Sequence, residues 1–473
     1  MSEQHKDNDL DVHNVNSYFN FLHEKAKEIN SISPTFCAAK WMQSTILLYN
    51  GETHSCHHPS RHKITLDDIK DNPKGIHNTT IKMYAREELL NGIQTKECDY
   101  CWRIENLNKT YISDRIYKST YSWSLPYLKE IVESGKGKDI DPTYVEVAFD
   151  STCNFKCVYC SPSSSSKWQE EVEQHGPIPQ TNYNLYDITW LKDTGQLPIP
   201  NREHNPYIEA FWKWWPELYP KLHTFRITGG EPLLSKHTWK VIDYIKENKS
   251  ENLVFAINTN LNTPDKLVDK LIDEINQISS NVKMVDIYTS LENTGEQAEY
   301  SRYGMNYEEF LGNVYKVLDN TPENTHLHFM TTINLTSAPK LLDFLKLIRD
   351  LRWKYKFSKH EFRVRTHLSY LRWPECFQLT LLSQEDKDKY SKEWLEFMEE
   401  NRLTEKKDPK ETFYIEEVDQ MKRLVDYMNS KREDHRVYDD FRSYVKTLDQ
   451  RRKTDFIDTF PEISYLMDDE YYG

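Results

Sequence analysis

The sequence predicts an α/β protein with a largely parallel sheet, and three observations carry that reading. Six segments rich in β-branched and aromatic residues recur through the middle of the chain. Amphipathic helical patterns lie between most of them, and two of the segments run straight into chemically distinctive loops. The segments are "TYVEVAFDSTC", "LHTFRITGGEPLL", "NLVFAINTN", "VKMVDIYTSLE", "THLHFMTTIN" and "EFRVRTHLSYL". Each reads as a strand by residue type. "HTWKVIDYIKEN" and "APKLLDFLKLIRDLRWKY" repeat apolar residues at i, i+3, i+4 and i+7, the helical period. Strand and helix alternating over roughly 230 residues imply a parallel sheet, either doubly wound or curled toward a barrel. Chemistry in both gathers at the carboxyl ends of the strands.

Composition sets the outer limits. The 473 residues carry a formal net charge of −14, which argues against a nucleic-acid or anionic-membrane surface. Aromatic residues make up 13% of the chain, enough for a large folded core. No run of about 18 apolar residues occurs, and the opening "MSEQHKDNDLDVHNVNS" is polar and acidic. The expectation is a soluble, cytoplasmic protein that engages neither membrane nor nucleic acid.

The eight cysteines are crowded rather than scattered. Cys153, Cys157 and Cys160 form C-x-x-x-C-x-x-C within "FDSTCNFKCVYCSPSS", and Cys98 and Cys101 form C-x-x-C. In a long chain without a secretory leader, such spacing points to metal or redox chemistry and away from disulfides. Closed zinc and iron-sulfur sites take four ligands. A triad therefore borrows a distant fourth or leaves one metal position open.

The triad, with Tyr159 before its last cysteine and Gly229-Gly230-Glu231-Pro232 at a later strand end, resembles the radical S-adenosylmethionine superfamily. The resemblance implies a partial (β/α)6 TIM-like barrel. It also implies a 4Fe-4S cluster on Cys153, Cys157 and Cys160, whose open iron takes the amino and carboxylate groups of S-adenosylmethionine. By the same resemblance Glu231 and the adjacent Gly229–Gly230 backbone take the methionyl ammonium, and Asn258 and Asn260 contact the ribose. Ser290 and Arg302 hold the methionyl carboxylate, Arg302 by its planar fork. Thr332 and Asn334 line the adenine and ribose side. The reaction implied is reductive cleavage of S-adenosylmethionine to a 5'-deoxyadenosyl radical that abstracts hydrogen from a peptide, protein or small-molecule substrate. An electron donor such as flavodoxin or ferredoxin would be a partner.

A second constellation precedes the barrel. Cys37, thirteen residues, Gly51, four residues and Cys56 bracket "STILLY" and the turn "NGE", which predicts a β-hairpin. With Cys98 and Cys101 this resembles the twitch, or SPASM-like, domain, a small α+β module that binds an auxiliary 4Fe-4S cluster for electron transfer. In better-known relatives that module follows the barrel. Four thiolates also suit structural zinc, which leaves a non-catalytic iron-sulfur or zinc scaffold as the alternative reading. His57, His58 and His62 are candidate substitutes for one cysteine. Cys376 reads as a packed thiol.

The domain plan expected is a polar segment at 1–30, the auxiliary domain at 31–125, the barrel core at 140–378 and a C-terminal helical region at 380–473. The Ser-, Pro- and Asn-rich stretch 161–205 is an insertion into the core, a lid or substrate wall on one reading and a surface loop on the other. "YIEAFWKWWPELY" reads as an amphipathic helix that buries Phe211, Trp214, Trp215 and Leu218. Arg363, Arg365, His367 and Tyr370, on or beyond the last strand, are either substrate contacts or fold-stabilising groups. The ending "LDQRRKTDFIDTFPE" resembles the tails of twitch-domain radical enzymes of bacteria and their tailed viruses.

Overall fold

The computed structural model describes residues 15–107, 111–135, 137–180, 184, 186–357, 361–404, 411–430 and 435–472. Residues 1–14 of the expected polar segment lie outside these. Among the described residues there are eleven strands: β1 Gln43–Leu47, β2 Glu52–His54, β3 His62–Lys63, β4 Tyr144–Ala148, β5 Lys156–Cys157, β6 Thr224–Thr228, β7 Ser250–Asn258, β8 Val282–Ser290, β9 Arg302–Tyr303, β10 Thr325–Met330 and β11 Val364–His367. Nine of them form one sheet in the order β11-β10-β8-β7-β6-β4-β1-β2-β3, so the sheet is open and the barrel is not closed. All six predicted core strands lie in it. β4 pairs in parallel with β6, β8 with β10 and β10 with β11, as expected of strands joined by helical crossovers.

The chain divides into two compact units. The first comprises 1–150, 199–229 and 250–256, and the second 151–198, 230–249 and 257–473. In the first unit the predicted hairpin forms, with Thr45 opposite His54 and Leu47 opposite Glu52. Its first strand also pairs in parallel with β4 through the run Gln43–Leu47, so the hairpin extends the main sheet. A core of Phe36, Trp41, Trp102, Trp123 and Ile131 packs beneath it. The aromatic helix Pro206–Leu218 starts on the side-chain cap of Asn205 and buries Phe211, Trp214, Trp215 and Leu218, with Trp215 against Phe225 at 4.6 Å between ring centroids.

In the second unit the crossover helices Lys236–Glu247, Asp265–Ile278, Tyr307–Asn320 and Leu341–Lys354 each bury one apolar stripe. Strand alternation is clean in β8: Val285, Ile287 and Thr289 are fully buried on one face, leaving Asp286, Tyr288 and Ser290 on the other. The C-terminal region is helical, with Gln384–Glu400, Ile415–Met428 and Arg436–Arg452. It is pinned by a buried bidentate pair, Arg352 to Glu417 at 2.6 and 2.8 Å. Among the described residues, no helix is long and apolar enough to cross a membrane.

Candidate active site

The cysteine triad sits on the loop after β4, at the carboxyl end of that strand, and the loop is fastened along its length by groups of the second unit. Cys157 belongs to β5 and pairs antiparallel with Arg302 of β9, and the Val158 N–H donates to the Ser301 carbonyl at 2.8 Å. The Trp168 indole N–H donates to the Cys157 carbonyl at 2.8 Å, the Tyr186 hydroxyl to the Cys160 carbonyl at 2.9 Å and the Tyr444 hydroxyl to the Val158 carbonyl at 2.8 Å. Three backbone acceptors of the loop are thereby occupied by rigid aromatic donors. The Phe155 N–H points at the Cys153 sulfur at 3.4 Å, a contact that favours the thiolate. Burial works the other way, raising all three thiols above their ordinary range, Cys160 to about 12. Binding metal here must release those protons.

The Gly-Gly-Glu segment closes on the same loop. Gly229 has φ +125°, a conformation that side chains rarely adopt, and a Cβ there would lie 2.6 Å from the Asp150 carbonyl oxygen. At Gly230 a Cβ would lie 2.3 Å from the Thr152 oxygen and 2.6 Å from the Ser151 oxygen. Only glycine permits this approach. The Glu231 N–H donates to the Thr152 carbonyl at 2.6 Å. Its buried carboxylate accepts from the Asn260 N–H at 2.6 Å and the Leu233 N–H at 3.0 Å, and burial raises its pKa to about 7. Asn260, just past β7, donates from its amide to the Asn154 side-chain oxygen at 2.7 Å. The cysteine loop, Glu231 and Asn260 are therefore one hydrogen-bonded constellation, approached closely by the Gly230 backbone.

Tyr159 and Arg302 meet through a residue that sequence reading missed. Arg302 donates to Glu292 at 2.5 Å, the Tyr159 hydroxyl donates to the other Glu292 oxygen at 2.9 Å, and the guanidinium lies 5.5 Å from the Tyr159 ring centroid. Glu292 and Arg302 are buried and Tyr159 half-buried, and among the described residues the Arg302 Nε has no hydrogen-bond partner. The signal that could have found Glu292 is a carboxylate two residues beyond a predicted strand end, in "TSLEN".

The other predicted positions are less closely joined to this constellation. Asn258 ends β7 and Ser290 ends β8. Thr332 follows β10, and Asn334 is fully buried, with both side-chain polar atoms engaged in capping the turn Leu335–Lys340 and bonding the Thr332 carbonyl. Of the groups near the last strand, Arg363 donates to the carbonyls of Thr325, Thr321 and Pro322 and so stabilises the fold, while Tyr370 stacks on Tyr427 at 4.0 Å. Cys376 is buried, as a packed thiol should be. The 161–205 insertion supplies Trp168 and Tyr186, which brace the cysteine loop, and so it acts as a buttress.

The four N-terminal cysteines come together in the first unit. Cys37, Cys56, Cys98 and Cys101 line one cavity with Lys40, His58, Asp114, Arg115 and Lys118. Cys37 precedes the short helix Ala39–Met42, Cys56 follows β2, Cys98 ends a 3-10 turn and Cys101 lies in the helix Asp99–Leu107. Burial pushes Cys37, Cys98 and Cys101 up to about 12. His58 lines the cavity but bonds Asp114 at 2.6 Å and stacks on Tyr100 at 3.8 Å; His57 is exposed, and His62 bonds Thr79 at 2.9 Å.

Residues 149–348 match the family model described as "Radical SAM superfamily". The match begins at the cysteine loop and ends in the helix after β10, so this stretch is a radical S-adenosylmethionine domain. Such a domain points to an enzyme and implies a 4Fe-4S cluster and S-adenosylmethionine as its cofactors. The residues present fit them: three thiols on one braced loop, a glycine cradle that any Cβ would fill, and a buried arginine with one donor unused. No curated protein matches the chain.

Proposed function

We propose that this protein is a radical S-adenosylmethionine enzyme with a second, auxiliary 4Fe-4S cluster in its N-terminal unit, acting on a peptide, protein side chain or small metabolite. The observation that carries the reading is the clasp of Gly230 and Glu231 on the cysteine loop. When bound, the cofactors supply one-electron cleavage of the sulfonium and a 5'-deoxyadenosyl radical that takes a hydrogen atom from substrate.

The protein's own residues position and enclose. Cys153, Cys157 and Cys160 would hold three irons. The Gly229–Gly230 backbone and Glu231 would receive the methionyl ammonium, because a buried carboxylate gains most when a cation arrives. Arg302, oriented by Glu292 and Tyr159, would meet the methionyl carboxylate with its unused Nε–H. Asn258, Asn260, Ser290 and Thr332 would lie along the nucleoside. Trp168, Tyr186 and Tyr444 keep the loop backbone dry.

Cys37, Cys56, Cys98 and Cys101 would close the auxiliary cluster completely, which suits it to electron relay. Four thiolates suit either structural zinc or a closed 4Fe-4S cluster, and the likeness of this cysteine set to a twitch-like module favours iron-sulfur. A small electron-transfer protein such as flavodoxin or ferredoxin would reduce the enzyme, and a cytoplasmic setting would keep the thiols reduced.

Anaerobic reconstitution tests the reading. Iron near about eight per chain and dithionite-dependent release of 5'-deoxyadenosine are expected. Zinc at about one per chain with no cleavage would replace it with a non-catalytic scaffold.

A further inference from the structure

Strands β8 and β10 place His326 opposite Asp286 and His328 opposite Tyr288. Because side chains alternate across a strand, Asp286, His326 and His328 emerge on the same face. They converge there: the Asp286 Oδ1 lies 3.1 Å from the His328 Nε2 and 3.5 Å from the His326 Nδ1. All three ligand atoms lie within 4.8 Å of one another. The residues are 7%, 7% and 4% exposed, so the group is buried in the second unit.

We propose that Asp286, His326 and His328 form a binding site for a divalent first-row transition-metal ion, independent of both cysteine sets. The spacing is that of a ready site. Bonds of about 2.0–2.1 Å place tetrahedral ligands about 3.3 Å apart, between the two separations observed. Two imidazoles and one carboxylate suit zinc, iron(II) or manganese and leave coordination positions for water or a substrate oxygen. Iron-sulfur assembly wants thiolates, so the ligand set separates this site chemically from the cysteines.

The Asp286 Oδ1 faces both rings, and the Met284 sulfur lies 3.0 Å from the His326 Nδ1. Among the described residues the His328 Nδ1 is buried with no hydrogen-bond partner, so this ring is held only through its Nε2 and its stacking contacts. Both histidines direct a nitrogen at the same carboxylate oxygen. The Tyr288 ring, stacked on His328 at 4.4 Å, and His367, parallel to it at 6.1 Å, hold the imidazole plane in place. Since the ligands stand on adjacent rungs of a parallel ladder, little ordering is needed for an ion to bind.

The test uses the full-length, cluster-reconstituted protein equilibrated with zinc chloride and desalted. Zinc content is measured by mass spectrometry, and its neighbours by X-ray absorption at the zinc edge. Wild-type protein should hold about one zinc with nitrogen and oxygen neighbours at about 2.0–2.1 Å, lost in Asp286→Ala and in His328→Ala. Zinc lodged among cysteines would instead show sulfur at about 2.3 Å and would be indifferent to both substitutions, so failure of the iron-sulfur reading is seen separately. Should the alanine variants fail to fold by circular dichroism, Asp286→Asn and His328→Gln keep the side-chain shape and should weaken zinc more than about tenfold in competition with a chromophoric chelator. Tyr288→Phe should leave zinc content unchanged. Equal zinc in wild type and all ligand variants, or zinc with sulfur neighbours only, overturns the proposal.

Discussion

The two cysteine sets are built by opposite strategies. Cys153, Cys157 and Cys160 share one loop, and their placement depends on what is fastened around that loop: β9, the 161–205 insertion and the C-terminal helix Arg436–Arg452. Cys37, Cys56, Cys98 and Cys101 come from separate short elements, and their placement depends on the core that assembles those elements. On the proposed reading, a one-loop set would present three ligands on one side and leave room for a small-molecule partner, whereas a set gathered from several elements would surround its site and leave none.

The sharpest way to break that comparison is to remove one member of each set. Cys157→Ala should abolish 5'-deoxyadenosine formation and lower bound iron by about four per chain. Cys98→Ala with Cys101→Ala should also remove about four irons yet retain reductive cleavage of S-adenosylmethionine. Iron lost equally from both sites in either variant would show the two sets to be one system.

Smaller effects probe the fastenings of the open loop. Arg302→Met leaves Glu292 as an uncompensated buried charge and should cost about 3–5 kcal/mol in urea unfolding. Glu231 gives a pH signature. Its folded pKa of about 7 lies above the ordinary carboxylate value, so its contribution is fully present at low pH and is lost as pH rises toward 7. Wild-type stability should fall by about 2–3 kcal/mol between pH 5 and 8, and Glu231→Gln should flatten that fall. Tyr444→Phe, which removes one donor from the loop backbone, should cost about 1 kcal/mol by the same assay.

Much of this was legible in the sequence because it rests on local signals. Each of the six core strands was marked by its own composition, the helix Pro206–Leu218 by its aromatic stripe, and the loop glycines by their position at a strand end. The auxiliary hairpin was marked by its turn. What escaped depends on contacts distant in sequence. Parallel pairing of β1 with β4 has no local signature, because an isolated strand does not encode its neighbour. Glu292 carries no local mark of its role, which exists only once Tyr159 and Arg302 meet its two oxygens. The Asp286 group was missed because its ligands sit on two strands about 40 residues apart and become neighbours only through their register. Arg363 shows the converse, a candidate contact whose donors the backbone consumes.

The bond from Tyr444 to the Val158 carbonyl spans 286 positions of sequence. During synthesis the ribosome finishes the cysteine loop long before the helix that steadies it exists. Until then the thiols sit on a loop lacking one of its braces, and docking of that helix completes the brace.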